Sequence, residues 1–416
     1  MYEKALAPVV LATLLAACGG GGDGGGSRTD SPSITVTDTN GHPLAGATVV
    51  IHGRDGADIV TVASTDVGGH ARLLSSSEQG AFSLTVAVTR NGYSRVRTLT
   101  DIPRADYTVR MDLPVGAADD CTAWTANADQ PLRLVGYPWG YVAAEPSKYT
   151  VTGHACNLQE GGGLSLVGFG ENYDYYGYAR DASSDGDVAV DLTLDRRADT
   201  LQWLPPAGAD LSGWFLGIRQ GVAYPLGPLD EASAGAAGTQ PIAGDFPADY
   251  FRATATYRHE AMSPEGMQWL RYEARLASVP AAIELPAADT TFSDVTAAAE
   301  TGATWSRTGS MAADLQTATL TLADDEGTTA WTVAVPPDRR RADVPRLPDA
   351  LVRQLRLQSR DLVAVRVQAQ DLLGIDDYAA AIRLMAAADA AGADLPARVS
   401  AVADVAIATD PGTSRQ

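Results

Sequence analysis

Between Ser33 and Asp112 the chain repeats one pattern seven times: a short run of alternating apolar and polar residues, then a turn. The runs are Ser33–Thr37, Ala47–His52, Ile59–Ser64, His70–Leu74, Phe82–Thr89, Tyr93–Leu99 and Tyr107–Asp112. Asn40-Gly41, Asp55-Gly56, Gly68-Gly69 and Asn91-Gly92 punctuate them. Alternation with period two gives a strand one apolar face, which must be covered by a second layer. Seven short strands spaced in this way predict a β-sandwich, not a helical bundle.

The rest of the chain continues in β-type runs. Tyr149–Thr152, Gly163–Phe169, Asp187–Leu194, Trp214–Arg219, Phe251–Tyr257 and Trp269–Leu276 read as strands, and residues 228–248 as a long loop. Beyond Leu285-Pro286 the strands are Thr304–Arg307, Thr317–Leu322, Thr329–Val335 and Leu362–Gln368. Ile375–Ala390 reads as a short helix ended by Gly392, and Val399–Ala408 fits helix or strand equally. The expected fold is mainly β: tandem β-sandwich domains, Ig-like or prealbumin-like, with a short C-terminal helix. The expected units are 32–114, 115–285 and 286–416.

With 45% hydrophobic and 20% charged residues, the composition excludes wholesale disorder. A net charge of −20 repels nucleic acid and anionic headgroups, so neither is an expected partner.

Residues Ala5 to Ala17 form an apolar run too short to span a bilayer, which needs ~20 residues. The run ends in Leu15-Ala16-Ala17-Cys18, then Gly19. It resembles the lipobox of bacterial lipoproteins. The resemblance implies a signal peptide over 1–17, cleavage before Cys18, and lipid on the Cys18 thiol. Two or three acyl chains anchor a protein stably, at about 0.8 kcal/mol per buried CH₂. Residues 18–31 are glycine-rich, as a flexible tether requires. By resemblance to the sorting rules of such lipoproteins, Gly19 after the cysteine implies the outer membrane. Cys121 and Cys156 then remain, and an even pair in an oxidising compartment reads as one disulfide. Two separate thiols are the alternative. A zinc site would have His154 beside Cys156 and no further ligands.

Two local phrases in the first module are more specific than its strand count. Asp38-Thr39-Asn40-Gly41-His42-Pro43-Leu44-Ala45-Gly46-Ala47 joins the first two runs, with Gly46 admitting a close or bulged approach. Thr65-Asp66-Val67-Gly68-Gly69-His70-Ala71 marks a second turn. These phrases resemble the carboxypeptidase-regulatory-like family, a prealbumin-like sandwich. The resemblance implies an accessory unit of exported proteins and does not imply a peptidase. Some relatives in the wider sandwich group bind carbohydrate.

Asp181, Ser183, Asp185 and Asp187 have the spacing of the first ligands of a calcium loop, with Gly186 at position six. Leu192 stands where a bidentate Glu is wanted, and the alternative is a solvated hairpin turn. Tyr173, Tyr175, Tyr176 and Tyr178, near Tyr137, Trp139 and Tyr141, are candidates for an aromatic platform facing a glycan or protein; sheet packing is the other reading. No histidine pair has metal-ligand spacing, and there is no Gly-x-Ser-x-Gly elbow or phosphate-cradling loop. Carboxylates are abundant, but none is singled out. The expected function is a lipid-anchored envelope protein with a binding or structural role. The alternatives are a carbohydrate-binding surface lipoprotein and an envelope hydrolase using unidentified carboxylates. No cofactor other than calcium is expected. The expected partners are the membrane through its lipid, a glycan or an envelope protein.

Overall fold

In the computed structural model, the alternating runs of the first module become strands close to where the pattern places them. The structure describes residues 33–38, 41–72, 80–90, 92–111, 121–138, 140–156, 164–182, 188–207, 209–219, 222–227, 238–258, 267–287, 290–387 and 396–407. The first stretch gives β1 (Ser33–Thr37), β2 (Thr48–His52), β3 (Ile59–Ser64), β4 (His70–Arg72), β5 (Phe82–Arg90), β6 (Tyr93–Ile102) and β7 (Tyr107–Arg110). The middle gives β8 (Cys121–Tyr137), β9 (Gly140–Cys156), β10 (Leu164–Gly170), β11 (Tyr175–Ala182), β12 (Val188–Leu192), β13 (Arg196–Arg197) and β14 (Asp199–Leu204). It continues with β15 (Asp210–Arg219), β16 (Val222–Pro225), β17 (Gly238–Ile242), β18 (Tyr250–Arg258), β19 (Met267–Leu276) and β20 (Ala282–Glu284). The last stretch gives β21 (Thr290–Ala298), β22 (Gly302–Gly309), β23 (Leu315–Asp324), β24 (Gly327–Val335), β25 (Arg341–Asp343), α1 (Asp349–Leu355), β26 (Asp361–Leu372), α2 (Tyr378–Ala387) and β27 (Arg398–Ala406). The protein is mainly β, with a short helix near its C-terminus.

One twelve-stranded sheet draws on all three stretches, in the order β16-β15-β18-β19-β27-β26-β23-β24-β6-β5-β2-β3. Two pairings carry it across the expected unit boundaries. β6 lies parallel to β24, from Tyr93↔Thr328 to Leu99↔Ala334. β19 lies antiparallel to β27, from Met267↔Asp404 to Glu273↔Arg398. One face of this sheet packs Phe215, Ala253, Leu270, Ala401, Val367, Leu320 and Trp331 into the largest core. The small sheet β4-β1-β7 closes a second core over Val49, Leu84 and Val86, with Ile382 and Ala386 of α2. A third core lies within the sheet of β8 to β13, around Trp124, Leu132 and Leu166.

The turn glycines act for different reasons. Gly69 sits at φ 74°, and a Cβ there would come within 2.5 Å of the Val36 carbonyl oxygen. Gly46 sits at φ 76° with nothing within 4 Å of a Cβ. Its role is therefore the left-handed backbone; of the close or bulged approach expected from sequence, the close one is absent.

Three further expectations change. Of Val399–Ala408, the residues to Ala406 lie in β27, because β19 and β26 pair with it on either side and bury Val399 to Ala403, while Ala408 falls outside the described residues. Part of the expected 228–248 loop, Gly238–Ile242, is β17, paired with β14 and fixed by Trp203 Nε1 donating to Gln240 Oε1 at 2.9 Å. The helix expected from Ile375 starts at Tyr378, because both carboxylate oxygens of Asp377 accept from the Ala379 and Ala380 amides.

A buried polar chain crosses β2, β5, β6 and β24. His52 Nε2 is 2.9 Å from Thr85 Oγ1, which is 2.9 Å from Thr98 Oγ1. Trp331 Nε1 donates to Thr98 Oγ1 at 3.0 Å. His52 is fully buried and its Nδ1 has no protein partner. Burial lowers its pKa from 6.5 to about 4, so it stays neutral where an unfolded histidine titrates. Between those values the unfolded chain binds more protons, so stability falls as pH falls. Urea unfolding is expected to show a loss of about 3 kcal/mol from this residue alone across that window. His52→Gln should flatten it, and an equally steep profile in the variant would place the loss elsewhere.

Candidate functional site

Across β23 and β26 the face of the large sheet opposite its main core is polar, and the sequence makes it so by alternation. Ala318, Leu320 and Leu322 of β23 enter the core, while Thr317, Thr319 and Thr321 take the other face. On β26, Val365, Val367 and Ala369 pack inward, while Arg366, Gln368 and Gln370 point away. Register aligns these rows, with Thr317 opposite Gln368 and Thr319 opposite Arg366. Thr332 of β24 and Arg97 of β6 extend the Thr319 row. Threonine suits this surface because its branched Cβ favours the strand while its hydroxyl remains available.

Together these residues floor a groove of about 760 Å³. Ile382 and Met385 of α2 wall one side. Arg97 ties that helix down, donating to the carbonyls of Met385 and Ala386 at 3.4 Å each and of Arg110 at 3.1 Å. A cation at a helix C-terminus is favourable. At the other side Arg366 donates twice to Asp404, at 2.6 and 2.7 Å, and lies 5.8 Å from the centre of the Trp269 ring.

Between Arg97 and Arg366 the floor is a network of uncharged groups. Thr319 and Thr332 hydroxyls are 2.9 Å apart. Gln370 Nε2 donates to Gln368 Oε1 at 3.2 Å, and Thr317 Oγ1 donates to the same oxygen at 3.4 Å. Gln370 is 4% exposed, and its Oε1 has no protein partner. A buried carbonyl oxygen in that state is an acceptor awaiting a donor.

Next to the groove, Glu273 of β19 is buried among arginines. It accepts from Arg252 at 2.6 Å, Arg271 at 2.9 Å and Arg398 Nε at 2.7 Å, and from Arg398 Nη2. Burial pushes its pKa up, but Arg398, Arg271 and Arg252 outweigh that and hold it down to about 2.

The residues singled out from sequence lie elsewhere. Cys18 and the calcium candidates Ser183, Asp185 and Asp187 fall outside the described residues, and of Asp181 only the backbone in β11 is described. Among the described residues no group of three or more His, Cys, Asp and Glu is placed to hold a metal ion. The backbone register of β8 and β9 sets Cys121 directly opposite Cys156. The four tyrosines divide instead of converging. Tyr176 is 2% exposed, packs 5.8 Å from Phe169 and donates its hydroxyl to Asp245. Tyr178 stacks edge-on to Phe246 beneath Arg196, and Tyr173 turns toward Phe169. Tyr175, at 48%, faces solvent. Strand alternation is the reason: 176 and 178 share the inward face of β11, and 175 the outward one.

Sequence reading missed Thr317, Thr319, Gln368, Gln370 and Arg366. A signal existed: the outward positions of these strands carry Thr and Gln, where a freely solvated face usually carries Lys and Glu.

No family model matches the chain, and no curated protein matches it. Among solved structures it is similar to the N-terminal four Ig domains of Dscam1 isoform 8.4. The identity is 8%, covering 90% of this chain and 95% of that one, with a TM-score of 0.15. The same four domains of Dscam1 isoform 1.9 match at 9% identity, covering 83% and 95%, with a TM-score of 0.13. Likeness at this level carries no argument about function. No helix among the described residues is long and apolar enough to cross a membrane.

Proposed function

We propose that this chain is a lipid-anchored envelope protein that binds glycan in the groove of its twelve-stranded sheet. The observation that carries this reading is the uncharged hydroxyl-and-amide floor, with the Gln370 Oε1 acceptor buried and unpartnered within it. Sugar hydroxyls both donate and accept, so they complement Thr and Gln side chains better than an apolar or ionic ligand does. Binding is favoured over hydrolysis because the one carboxylate in the groove lining, Asp404, is engaged by Arg366, and the neighbouring Glu273 by three arginines. A catalytic acid needs a raised pKa, and that of Glu273 is depressed. A glycan array probed with the mature chain lacking its lipid should give specific signals, lost in Gln370→Leu. Silence across the array sinks the reading.

The anchor and the disulfide belong to the same proposal. The tetrapeptide ending at Cys18 and the glycine tether support lipidation. Directly opposed residues on antiparallel strands have Cα atoms about 4.5–5.5 Å apart, within the range a disulfide spans. The register of Cys121 and Cys156 therefore supports a bridge, stabilising by about 4 kcal/mol in the chain-entropy model. Intact mass of the membrane-extracted protein should show acyl groups on Cys18 and two hydrogens fewer than the dithiol. Unmodified Cys18, or alkylation of both other cysteines without reductant, contradicts the corresponding part.

A further inference from the structure

Beyond the groove, the same face of the sheet continues past β27. Register carries its polar face onward through adjacent strands without a shift. Gln370 of β26 pairs with Ser400 of β27, Ser400 with Arg271 of β19, and Arg271 with Thr256 of β18. One row over, Arg398 pairs with Glu273, Glu273 with Thr254, and Thr254 with Trp214 of β15. Directly paired residues share a face, so Gln370 and Trp214 look out on the same side. Four strand spacings separate β26 from β15, a span of about 19 Å at ~4.8 Å per strand.

Two features along this track point to a ligand. The first is aromatic. Trp214 is 39% exposed and Tyr141 is 40% exposed, although large apolar rings are ordinarily covered. Tyr141 comes from β9 in the neighbouring sheet, and the two rings meet at 6.2 Å between centroids. The faces of pyranose rings stack on such rings through their C–H groups. The second feature is charge. In a chain of net charge −20, three arginines of the track surround the single carboxylate of Glu273, so these four residues carry two positive charges in excess. Arg271 is the most open of the three at 39%, and its Nε has no protein partner. A guanidinium donates hydrogen bonds to a carboxylate.

We infer that the site takes a linear acidic polysaccharide, a chain of uronic acid units. It would lie across the sheet from the Gln370 floor to the Trp214–Tyr141 pair, with a carboxylate on Arg271. This inference rests on the glycan reading of the groove and adds its length, its aromatic end and the charge of its ligand.

The test measures binding of the mature chain to oligouronides of several linkages, each beside its carboxyl-reduced neutral counterpart. At least one acidic oligomer should bind ten-fold or more tighter than its reduced form, with affinity falling as salt rises. Arg271→Gln should erase that difference and Arg271→Lys restore part of it. Trp214→Ala should weaken both forms. Thermal midpoints of the variants separate lost contacts from lost folding. Equal binding of acidic and reduced forms overturns the acidic ligand and leaves the groove reading intact. Binding of neither, with neutral glycans silent as well, overturns both. Full affinity in Trp214→Ala removes the aromatic end from the site.

Discussion

Glu273→Gln is expected to cost the fold about 3–5 kcal/mol, because it removes a carboxylate shared by three arginines. Glu273 and its partners Arg252 and Arg398 all have side chains no more than 15% exposed, so water cannot replace the lost charge. The arginines would then face one another across β18, β19 and β27. Urea unfolding of the variant should show the loss in midpoint without a large change in slope. A loss under about 1 kcal/mol would mean the cluster behaves as a surface pair. The acid profile gives an independent check. The Glu273 pKa is lowered from 4.5 to about 2, so its contribution is complete above pH 4.5 and is lost as pH falls toward 2. That window lies below the one set by His52, from 6.5 to about 4. Wild type should therefore lose stability in two successive steps, and Glu273→Gln should lack the lower one.

Trp331→Ala is expected to cost a similar amount, about 3–5 kcal/mol. Trp331 is 1% exposed on β24 and is among the largest fully buried side chains. Its loss leaves a cavity in the main core and removes the donor to Thr98 of β6. Trp331→Phe keeps much of the packing and should cost about 1–2 kcal/mol, chiefly for the hydrogen bond. The location of the effect matters as much as its size. β24 is the parallel neighbour of β6, so the destabilisation should reach amides of 93–102 as well as 327–335 in hydrogen exchange. Protection unchanged over 93–102 would show that the first module folds independently of the large sheet.

The first module was legible because each of its strands is short, alternating and bounded by turn residues. Ile59–Ser64 was read to the residue, and Phe82–Arg90 missed by one. β8 was not legible. Its 17 residues contain Pro131, and the pairing with β9 shifts register between Asn127 and Leu134, so no constant period runs through it. α1 was missed for a different reason: it has seven residues, starts after Pro348 and has no side-chain cap. The groove could not be read at all as a site. Its strands were recognised except β27, whose sequence fits helix equally, but Arg97, Thr317, Gln368 and Asp404 become neighbours only through the β6–β24 and β26–β27 pairings. Those pairings join segments more than 200 residues apart in the first case, and local pattern carries no information about them. The tyrosine cluster was conspicuous because tyrosine is rare enough to notice, whereas a row of threonines reads as ordinary strand.

The most direct test of the account is calorimetric titration of the strongest array ligand into wild type and Gln370→Leu. The Gln370 side chain floors the groove and bonds Gln368 beside it, so the variant should keep its unfolding midpoint within a few degrees. Affinity should fall ten-fold or more in the variant, the cost of about 1.4 kcal/mol for replacing a buried hydrogen-bonding group by an apolar one. Equal affinity in the two proteins would put the ligand somewhere other than this groove.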